Sequence, residues 1–201
     1  GAGRGQPRRL LVAVSRARVP AWLSAIAALC ASLPVAAADF DVASSEIGFS
    51  LVTRWGTVVD GRFPVFDGYL TRLPDGRQQV RLSLSAADVE IIGNQRHTRL
   101  SRGRGFFEAA RFPWLTFVSE PFGAELLAAG GPLPGQLHIR DVERREVFSI
   151  APATCARPAL DCPVLAHGVV ERSRYGMNRW SYAIGGKVYF QLSLRLADAG
   201  P

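Results

Sequence analysis

The densest group of side chains able to bind a ligand lies between residues 96 and 114. It combines five arginines with four aromatic residues, namely Arg96, Arg99, Arg102, Arg104, Arg111, Phe106, Phe107, Phe112 and Trp114. Guanidinium groups bind phosphate oxygens through paired hydrogen bonds, so this cluster can hold an anionic head group at the mouth of an apolar pocket. Two other interpretations fit the same residues. They are single-stranded nucleic acid stacked on the rings, and a solvated basic helix whose trailing aromatic residues enter the core.

Residues for catalysis or metal binding are harder to find. Asp88 and Glu90 are two apart in a strand-like context, so they point to one face, as general acid–base catalysis could use. Solvated acids at the end of a strand produce the same pattern. The histidines His97, His138 and His167 match no metal-ligand spacing and are interpreted as surface residues. Neither a nucleophile elbow nor a phosphate-binding glycine loop occurs in the sequence. We therefore expect a protein without a metal site that is not an enzyme.

Two cysteines, Cys155 and Cys162, stand seven apart in a segment that contains several prolines. This spacing is typical of a short loop closed by a disulfide in an oxidising compartment. A metal pair is the weaker interpretation, because no further Cys or His lies at ligand spacing. We predict a Cys155–Cys162 disulfide.

The N-terminal 38 residues have the character of a secretory signal peptide. They hold five arginines and no acidic residue, then an apolar run from Val19 to Val35, and end in three alanines before Asp39. We predict removal of residues 1–38, a periplasmic protein of residues 39–201, and no stable membrane insertion afterwards. The net charge of +7 falls to +2 over residues 39–201, so it does not indicate a nucleic-acid partner.

Alternation of apolar and polar residues predicts strands over most of residues 39–201. The clearest runs are 46–51, 80–85 and 188–196; in the first, Ile47, Phe49 and Leu51 share one face. Weaker alternation predicts strands at 61–70, 114–119, 135–140, 147–151 and 167–172. One helix is predicted from about residue 94 to 101 with Asn94 as its N-cap. A shorter amphipathic helix is an option at 124–129.

About eight strands with little room for crossover helices predict an all-β fold, either an antiparallel barrel or a sandwich. A barrel of eight strands is about the smallest that can hold a small ligand. Periodicity leaves open whether the interior is filled with side chains or encloses a cavity.

Four groups of residues carry a family resemblance from Asp41 to Leu196. They are Ser45-x-Ile47-x-Phe49-x-Leu51 with Gly61-Arg62-Phe63; Arg96-x-x-Arg99-Leu100 with Phe106-Phe107-Glu108 and Thr116-Phe117-x-Ser119; Gly135-x-Leu137-x-Ile139 with Val142 and Val147; and Arg172-x-x-Tyr175-Gly176-Met177. In order and spacing they resemble the YceI-like family of bacterial periplasmic proteins. The chain departs from the family pattern where Ser44 and Thr53 replace histidines and where His97 and Arg99 replace an Asp and a His. Asp141 and Glu143 replace the Gly and Thr of the hairpin turn.

The resemblance implies an extended, lipocalin-like antiparallel β-barrel with one short helix near 94–104. It also implies a polyisoprenoid lipid, of the quinone or isoprenyl phosphate type, held in the lumen for storage or transport, without a covalent cofactor. The rival hypothesis is a periplasmic stress or interaction module with a filled barrel. The sequence does not decide whether the protein forms a homodimer. The candidate ligand-binding residues are Ile47, Phe49, Leu51, Phe63, Leu82, Phe117, Leu137, Ile139, Tyr175, Met177, Phe190 and Leu192 for the tail, and Arg99 and Arg102 for the head group.

Overall fold

The computed structural model describes residues 37–197, which consist mostly of β-strands. In chain order the strands are β1 (Ala37–Asp39), β2 (Glu46–Thr53), β3 (Val58–Arg62), β4 (Phe66–Arg72), β5 (Gln78–Ser85), β6 (Glu90–Ile91), β7 (Trp114–Ser119), β8 (Gly131–Ile139), β9 (Val142–Ile150), β10 (Val164–Glu171) and β11 (Ile184–Leu194). The helices are α1 (Gln95–Arg102) and α2 (Glu125–Ala129), and 3-10 turns lie at Val42–Ser44 and Arg172–Tyr175.

The strands form one antiparallel sheet in the order β1-β4-β5-β7-β8-β9-β10-β11-β2-β3-β6. Long hairpins dominate it: β8 pairs with β9 from Gly131–Ile150 to Ile139–Val142, and β10 pairs with β11 along its whole length. The sheet curls into a half-barrel whose concave face encloses the core. The predicted all-β antiparallel fold is confirmed, with eleven strands rather than about eight.

The additional strands have two origins. β1 and β6 contain three and two residues, too few to show a period of two. The single strand predicted at 61–70 is wrong, because β3 ends at Arg62 and β4 begins at Phe66. Pro64 lies between them and has no N–H for a sheet hydrogen bond, so the chain turns there. β3 then pairs with β2, and β4 pairs with β5.

Helix α1 confirms the helix predicted near residues 94–104. The Asn94 side chain accepts a hydrogen bond from the His97 N–H at 3.0 Å, as an N-cap residue does. The Thr98 hydroxyl accepts a hydrogen bond from the Ile91 N–H at 2.8 Å, which fastens the helix to β6. The shorter helix α2 also forms, and it is followed directly by Gly130, whose φ of 75° lies in a region that favours glycine.

The concave face consists of the alternate apolar residues that the periodicity indicated. In β2, Ile47, Phe49 and Leu51 are buried while Glu46 and Val52 are exposed. In β5, Val80, Leu82 and Leu84 are buried, and Arg81 between them is exposed. Because successive strand residues face opposite sides of the sheet, this alternation gives one apolar face and one polar face.

The predicted disulfide between Cys155 and Cys162 is present in the connection from β9 to β10, with the two Cα atoms 6.0 Å apart. Within the closed loop, the Ala159 N–H donates to the Cys162 carbonyl at 2.9 Å. The Ala159 carbonyl accepts a hydrogen bond from the Leu196 N–H at 2.8 Å. The disulfide therefore holds a loop that attaches to the chain beyond β11.

The predicted signal peptide lies outside the described residues, apart from Ala37 and Ala38. These two alanines belong to β1 and pair with Thr71 and Leu70 of β4. Between residues 37 and 197, no helix combines the length and the apolar character required to cross a bilayer.

Candidate functional site

The larger of two cavities associated with the sheet has a volume of about 390 Å³. Residues of β2, β3, β6 and β11 line one side of it, and residues of α1, Phe106 with Phe107, and the segment from Arg172 to Ala183 line the rest. It reaches the surface beside Trp55, Arg96 and His97, which are exposed. Apart from those three, the lining consists of Phe49, Leu51, Thr53, Val59, Ile91, Leu100, Ser101, Phe106, Phe107, Arg172, Met177, Trp180, Ala183, Ile184 and Val188.

The rotation of α1 decides which of its arginines meet the cavity. Arg96 lines the larger cavity, together with His97 and Leu100 of the same helix. Arg99 is exposed, and Arg102 donates from Nε to the Val89 carbonyl at 3.0 Å. Neither Arg99 nor Arg102 lines the larger or the smaller cavity. Arg96 is therefore in a better position to contact a head group in this cavity than Arg99 or Arg102, for which that role was predicted.

Arg172 is a cation buried in the wall of the larger cavity, with 2% of its surface exposed. Its guanidinium donates hydrogen bonds to four carbonyl oxygens, those of Met177, Arg179 at 2.8 Å, Ile184 at 3.1 Å and Gly185 at 3.0 Å. It also lies 6.0 Å from the centre of the Phe106 ring. Burial lowers the pKa of Arg172, and the charge of Glu171 opposes that shift.

The smaller cavity has a volume of about 70 Å³ and lies toward the disulfide loop, which contributes Ala159 to its wall. Thr116 is the one lining residue with a polar side chain. The others are Phe40, Leu70, Val80, Leu82, Leu84, Leu115, Phe117, Leu127, Leu133, Leu137, Phe148, Ile150, Ala159, Val164, Ala166, Phe190, Leu192, Leu194 and Leu196.

A layer of aromatic rings lies between the two cavities. Phe49 lines the larger one and Phe190 the smaller one, and their ring centres are 6.1 Å apart. Phe63 packs against both, at 5.4 Å from Phe49 and 6.4 Å from Phe190. Phe148 adds an edge-to-face contact with Phe190 at 6.3 Å. Phenylalanine rings therefore separate the larger cavity from the smaller one.

The predicted tail-binding residues fall into three groups. Phe49, Leu51 and Met177 line the larger cavity, whereas Leu82, Phe117, Leu137, Phe190 and Leu192 line the smaller one. The remaining four, Ile47, Phe63, Ile139 and Tyr175, are buried in the core and line neither cavity.

Tyr175 has a polar environment of its own within the core. Its hydroxyl donates to Glu146 Oε1 at 2.9 Å, and Arg174 contacts the same oxygen at 3.0 Å. Burial and the Glu146 carboxylate raise the pKa of Tyr175 well above its usual value. This group fastens the 3-10 turn Arg172–Tyr175 to β9.

Asp88 and Glu90, the acids that could have acted as a general acid–base pair, have other partners. Asp88 accepts a hydrogen bond from the Ser85 hydroxyl at 2.6 Å, and Glu90 pairs with Arg62 at 2.8 Å. Neither acid lines the larger or the smaller cavity. In the part of the chain that the structure describes, no three His, Cys, Asp or Glu side chains form a group that could hold a metal ion.

Sequence reasoning did not select Trp55 and Trp180 beside the opening, or Arg172 buried in the cavity wall, as ligand-binding residues. A tryptophan in the turn Arg54-Trp55-Gly56 was the available indication, since a turn exposes its side chains. The glycine at position 176 was a further indication, because glycine often ends a helical turn, and its φ of 70° after the 3-10 turn agrees with that role.

The model of the YceI-like domain family matches residues 39–196 of this chain. A search of curated protein sequences found no match to this chain.

Several solved structures share the fold. BcnA of Burkholderia cenocepacia has a TM-score of 0.62 and 18% identity, covering 79% of this chain and 99% of BcnA. A polyisoprenoid binding domain from Saccharophagus degradans, implicated in plant cell wall breakdown, has a TM-score of 0.59 and 14% identity, covering 80% and 97%. The YceI protein of Campylobacter jejuni has a TM-score of 0.51 and 16% identity, covering 69% and 84%.

Proposed function

Because this chain belongs to the YceI-like domain family, we propose that it is an exported binding protein, not an enzyme, that holds a long polyisoprenoid for storage or transport. The ligand is of the quinone or isoprenyl phosphate type. The Saccharophagus degradans neighbour, which has the same fold, is a polyisoprenoid binding domain. The observation that carries the proposal in this chain is the larger cavity, whose 390 Å³ lie within the range of about 300–1,000 Å³ typical of small-molecule sites.

The apolar lining suits a hydrocarbon tail. Each CH₂ group transferred from water into such a cavity contributes about 0.8 kcal/mol before the cost of ordering the chain. An apolar cavity of about 150 Å³ holds benzene, so the larger cavity holds on the order of fifteen carbons, or about three isoprene units. The smaller cavity, at about 70 Å³, holds less than one further unit while the rings stay closed. A longer polyisoprenoid therefore requires the rings to move or part of its tail to lie outside these two cavities.

The arginines of the larger cavity, with the polar ring of His97 beside them, favour an anionic or strongly polar head group. Arg96 and His97 lie where the cavity reaches the surface, and Arg172 adds a buried positive charge. Arginine matches phosphate and carboxylate oxygens, so a head group near α1 would leave the tail among Phe49, Leu51 and Val188. Thr53 and His97, where the chain departs from the family pattern, both line this cavity. We therefore expect a head-group preference specific to this chain.

Export is supported by the composition of residues 1–38 and by the Cys155–Cys162 disulfide, because disulfides persist in oxidising compartments. Cleavage before Asp39 would leave the Asp39–Tyr69 pairing as the start of the sheet edge. N-terminal sequencing of the protein recovered from the periplasmic fraction tests both the site and the compartment.

The decisive experiment is mass spectrometry of organic extracts from protein purified out of its native host. An isoprenoid lipid in near-stoichiometric amount is the expected result. Repeated extracts without isoprenoid or other long-chain lipid, together with no thermal shift on addition of isoprenoid quinones, would favour the interaction module instead.

A pair of variants on one strand makes this experiment specific. Val59 lines the larger cavity, whereas Val58, its neighbour in β3, faces outward. Val59→Trp fills the cavity and is expected to abolish lipid recovery, while Val58→Trp retains it. Equal lipid recovery from both variants, with both folded by circular dichroism, would contradict binding in this cavity.

A further inference from the structure

Three segments border the opening of the larger cavity: residues 53–57 between β2 and β3, residues 94–102 around α1, and residues 178–183 before β11. Each contributes lining residues, for example Trp55, Leu100 and Trp180. The first and third are joined directly, since the Arg54 N–H donates to the Ala183 carbonyl at 2.9 Å and Arg54 Nε donates to the Ser181 carbonyl at 3.2 Å. We call these three segments together the mouth surface.

The mouth surface exposes large apolar side chains. Trp55 is 75% exposed, Tyr182 is 70% exposed and Leu100 is 40% exposed. The Tyr182 ring lies 5.8 Å from that of Trp180, which lines the cavity. Single exposed apolar residues are ordinary, but several around one opening mark an interaction site.

The charged residues of the mouth surface are all positive. Its three segments contain Arg54, Arg96, Arg99, Arg102 and Arg179, and neither Asp nor Glu. The ion pairs found within residues 37–197 involve other arginines, such as Arg62 and Arg140, and none from these segments. Positive charge is thus concentrated around the opening of a protein whose residues 39–201 carry a net charge of only +2.

We propose that the mouth surface docks on a lipid bilayer that contains anionic phospholipids. Tryptophan and tyrosine favour the interface between head groups and acyl chains, where the ring is apolar on one side and hydrated on the other. Arginine binds lipid phosphate groups and is attracted by a negative surface potential. A second copy of this chain fits less well, because a two-fold contact would bring like charges together.

This proposal goes beyond the binding of a ligand, because docking requires only the exterior of the opening. It explains how a lipid that is insoluble in water could enter or leave the cavity. With the mouth surface on the bilayer, the larger cavity opens directly toward the acyl chains, so the apolar tail does not have to cross water.

The test is flotation of the purified protein with vesicles that contain no isoprenoid. The vesicles are phosphatidylcholine alone, or phosphatidylcholine with 30% phosphatidylglycerol. Binding is expected only to the anionic vesicles and is expected to weaken at 0.5 M salt, because salt screens exposed charges. The double variant Arg96→Gln/Arg99→Gln is expected to lower the binding constant by about thirtyfold. Trp55→Ala is expected to weaken binding at either salt concentration.

Matched controls carry the same chemical changes elsewhere. Arg72→Gln/Arg81→Gln alters the net charge equally on β4 and β5, and Trp114→Ala removes a tryptophan that is 46% exposed on β7. Equal losses in the control and mouth variants would overturn the proposal, as would equal binding to both kinds of vesicle. A change in oligomeric state of the mouth variants without any vesicle binding would assign the surface to protein contacts instead. The vesicles contain no isoprenoid, so this test does not depend on the carrier function. If the protein binds anionic vesicles but its organic extracts contain no lipid, docking is supported and only the carrier function is rejected.

Discussion

At the scale of single residues, Arg172 links the core to the segment that borders the cavity opening. Its four hydrogen bonds all go to carbonyl oxygens between residues 177 and 185, so one side chain holds both ends of that segment. The planar guanidinium presents its donors in fixed directions, which a lysine ammonium cannot reproduce. Arg172 therefore acts as the internal support of the larger cavity as well as its buried charge.

Arg172→Lys is expected to lower the free energy of unfolding by about 2–3 kcal/mol, because buried carbonyl groups lose hydrogen bonds to a charged donor. It is also expected to speed proteolytic cleavage between residues 178 and 183. Urea denaturation and limited proteolysis measure the two effects. Arg145→Lys is the control, since its pair with Glu120 is exposed and such pairs contribute little. An Arg172→Lys variant as stable and as resistant as the control would refute this role.

Tyr175 predicts a dependence of stability on alkaline pH. Its folded pKa is raised, whereas a tyrosine in the unfolded chain titrates near pH 10. Above about pH 10 the unfolded chain loses a proton that the folded protein keeps, so the free energy of unfolding decreases by up to about 1.4 kcal/mol per pH unit. The contribution is fully present below pH 10 and is lost as the pH rises toward the folded pKa.

Urea denaturation between pH 9 and 11 measures this slope. Tyr175→Phe is the comparison, because it retains the ring and every other titrating group. The slope of the variant above pH 10 is expected to be shallower than that of the natural chain. If the free energy of unfolding depends on pH in the same way for both proteins, the pKa of Tyr175 is not raised in the folded protein.

At the scale of secondary-structure elements, the longer strands could be predicted, whereas the short strands β1 and β6, the break between β3 and β4, and the orientation of α1 could not. Val80, Leu82 and Leu84 alternate with polar residues, so their burial followed from the sequence. Helix α1 contains Leu100 as its one large apolar residue, so no apolar stripe indicated its rotation. Contacts with β6, such as Thr98 with Ile91, set that rotation and bring Arg96 rather than Arg99 to the cavity.

The disulfide loop makes a further prediction at this scale. The double variant Cys155→Ser/Cys162→Ser is expected to lower the free energy of unfolding by about 2 kcal/mol, since closing a short loop restricts the unfolded chain only moderately. Urea denaturation with and without reductant measures it. Reductant should destabilise the natural chain and leave the double variant unchanged. An equal response of both proteins would mean that the bridge does not contribute to stability.

At the scale of the whole described domain, the division of the interior into two cavities depends on close packing between strands. Gly168 faces Phe190 across β10 and β11, and a Cβ atom at this glycine would lie 2.6 Å from the Phe148 ring. The glycine thus makes room for a ring of the dividing layer. Periodicity placed Phe190 on the concave face, but alternation carries no information about ring positions. Whether the lumen was one space or two could therefore not be predicted.

This division predicts that Phe190 limits the length of the bound tail. Phe190→Ala removes the ring that separates Phe49 from the smaller cavity, so the two spaces should merge and accept longer chains. The expected cost is about 3–5 kcal/mol of unfolding free energy. Phe190→Leu, which removes less volume, serves if the alanine variant does not fold. The measurement is mass spectrometry of lipid retained after incubation with an equimolar series of isoprenoid quinones of increasing tail length.

The retained quinones should shift toward longer tails in the Phe190 variants and stay unchanged in Phe66→Leu, which alters a buried phenylalanine that lines neither cavity. If the tail is confined to the larger cavity, enlarging the space behind Phe190 has no effect on the selected length. The same distribution for all three proteins would therefore show that the rings mark the end of the binding site. A shift toward longer tails in the Phe190 variants alone would show that the Phe190 ring limits the length of tail that the natural chain can hold.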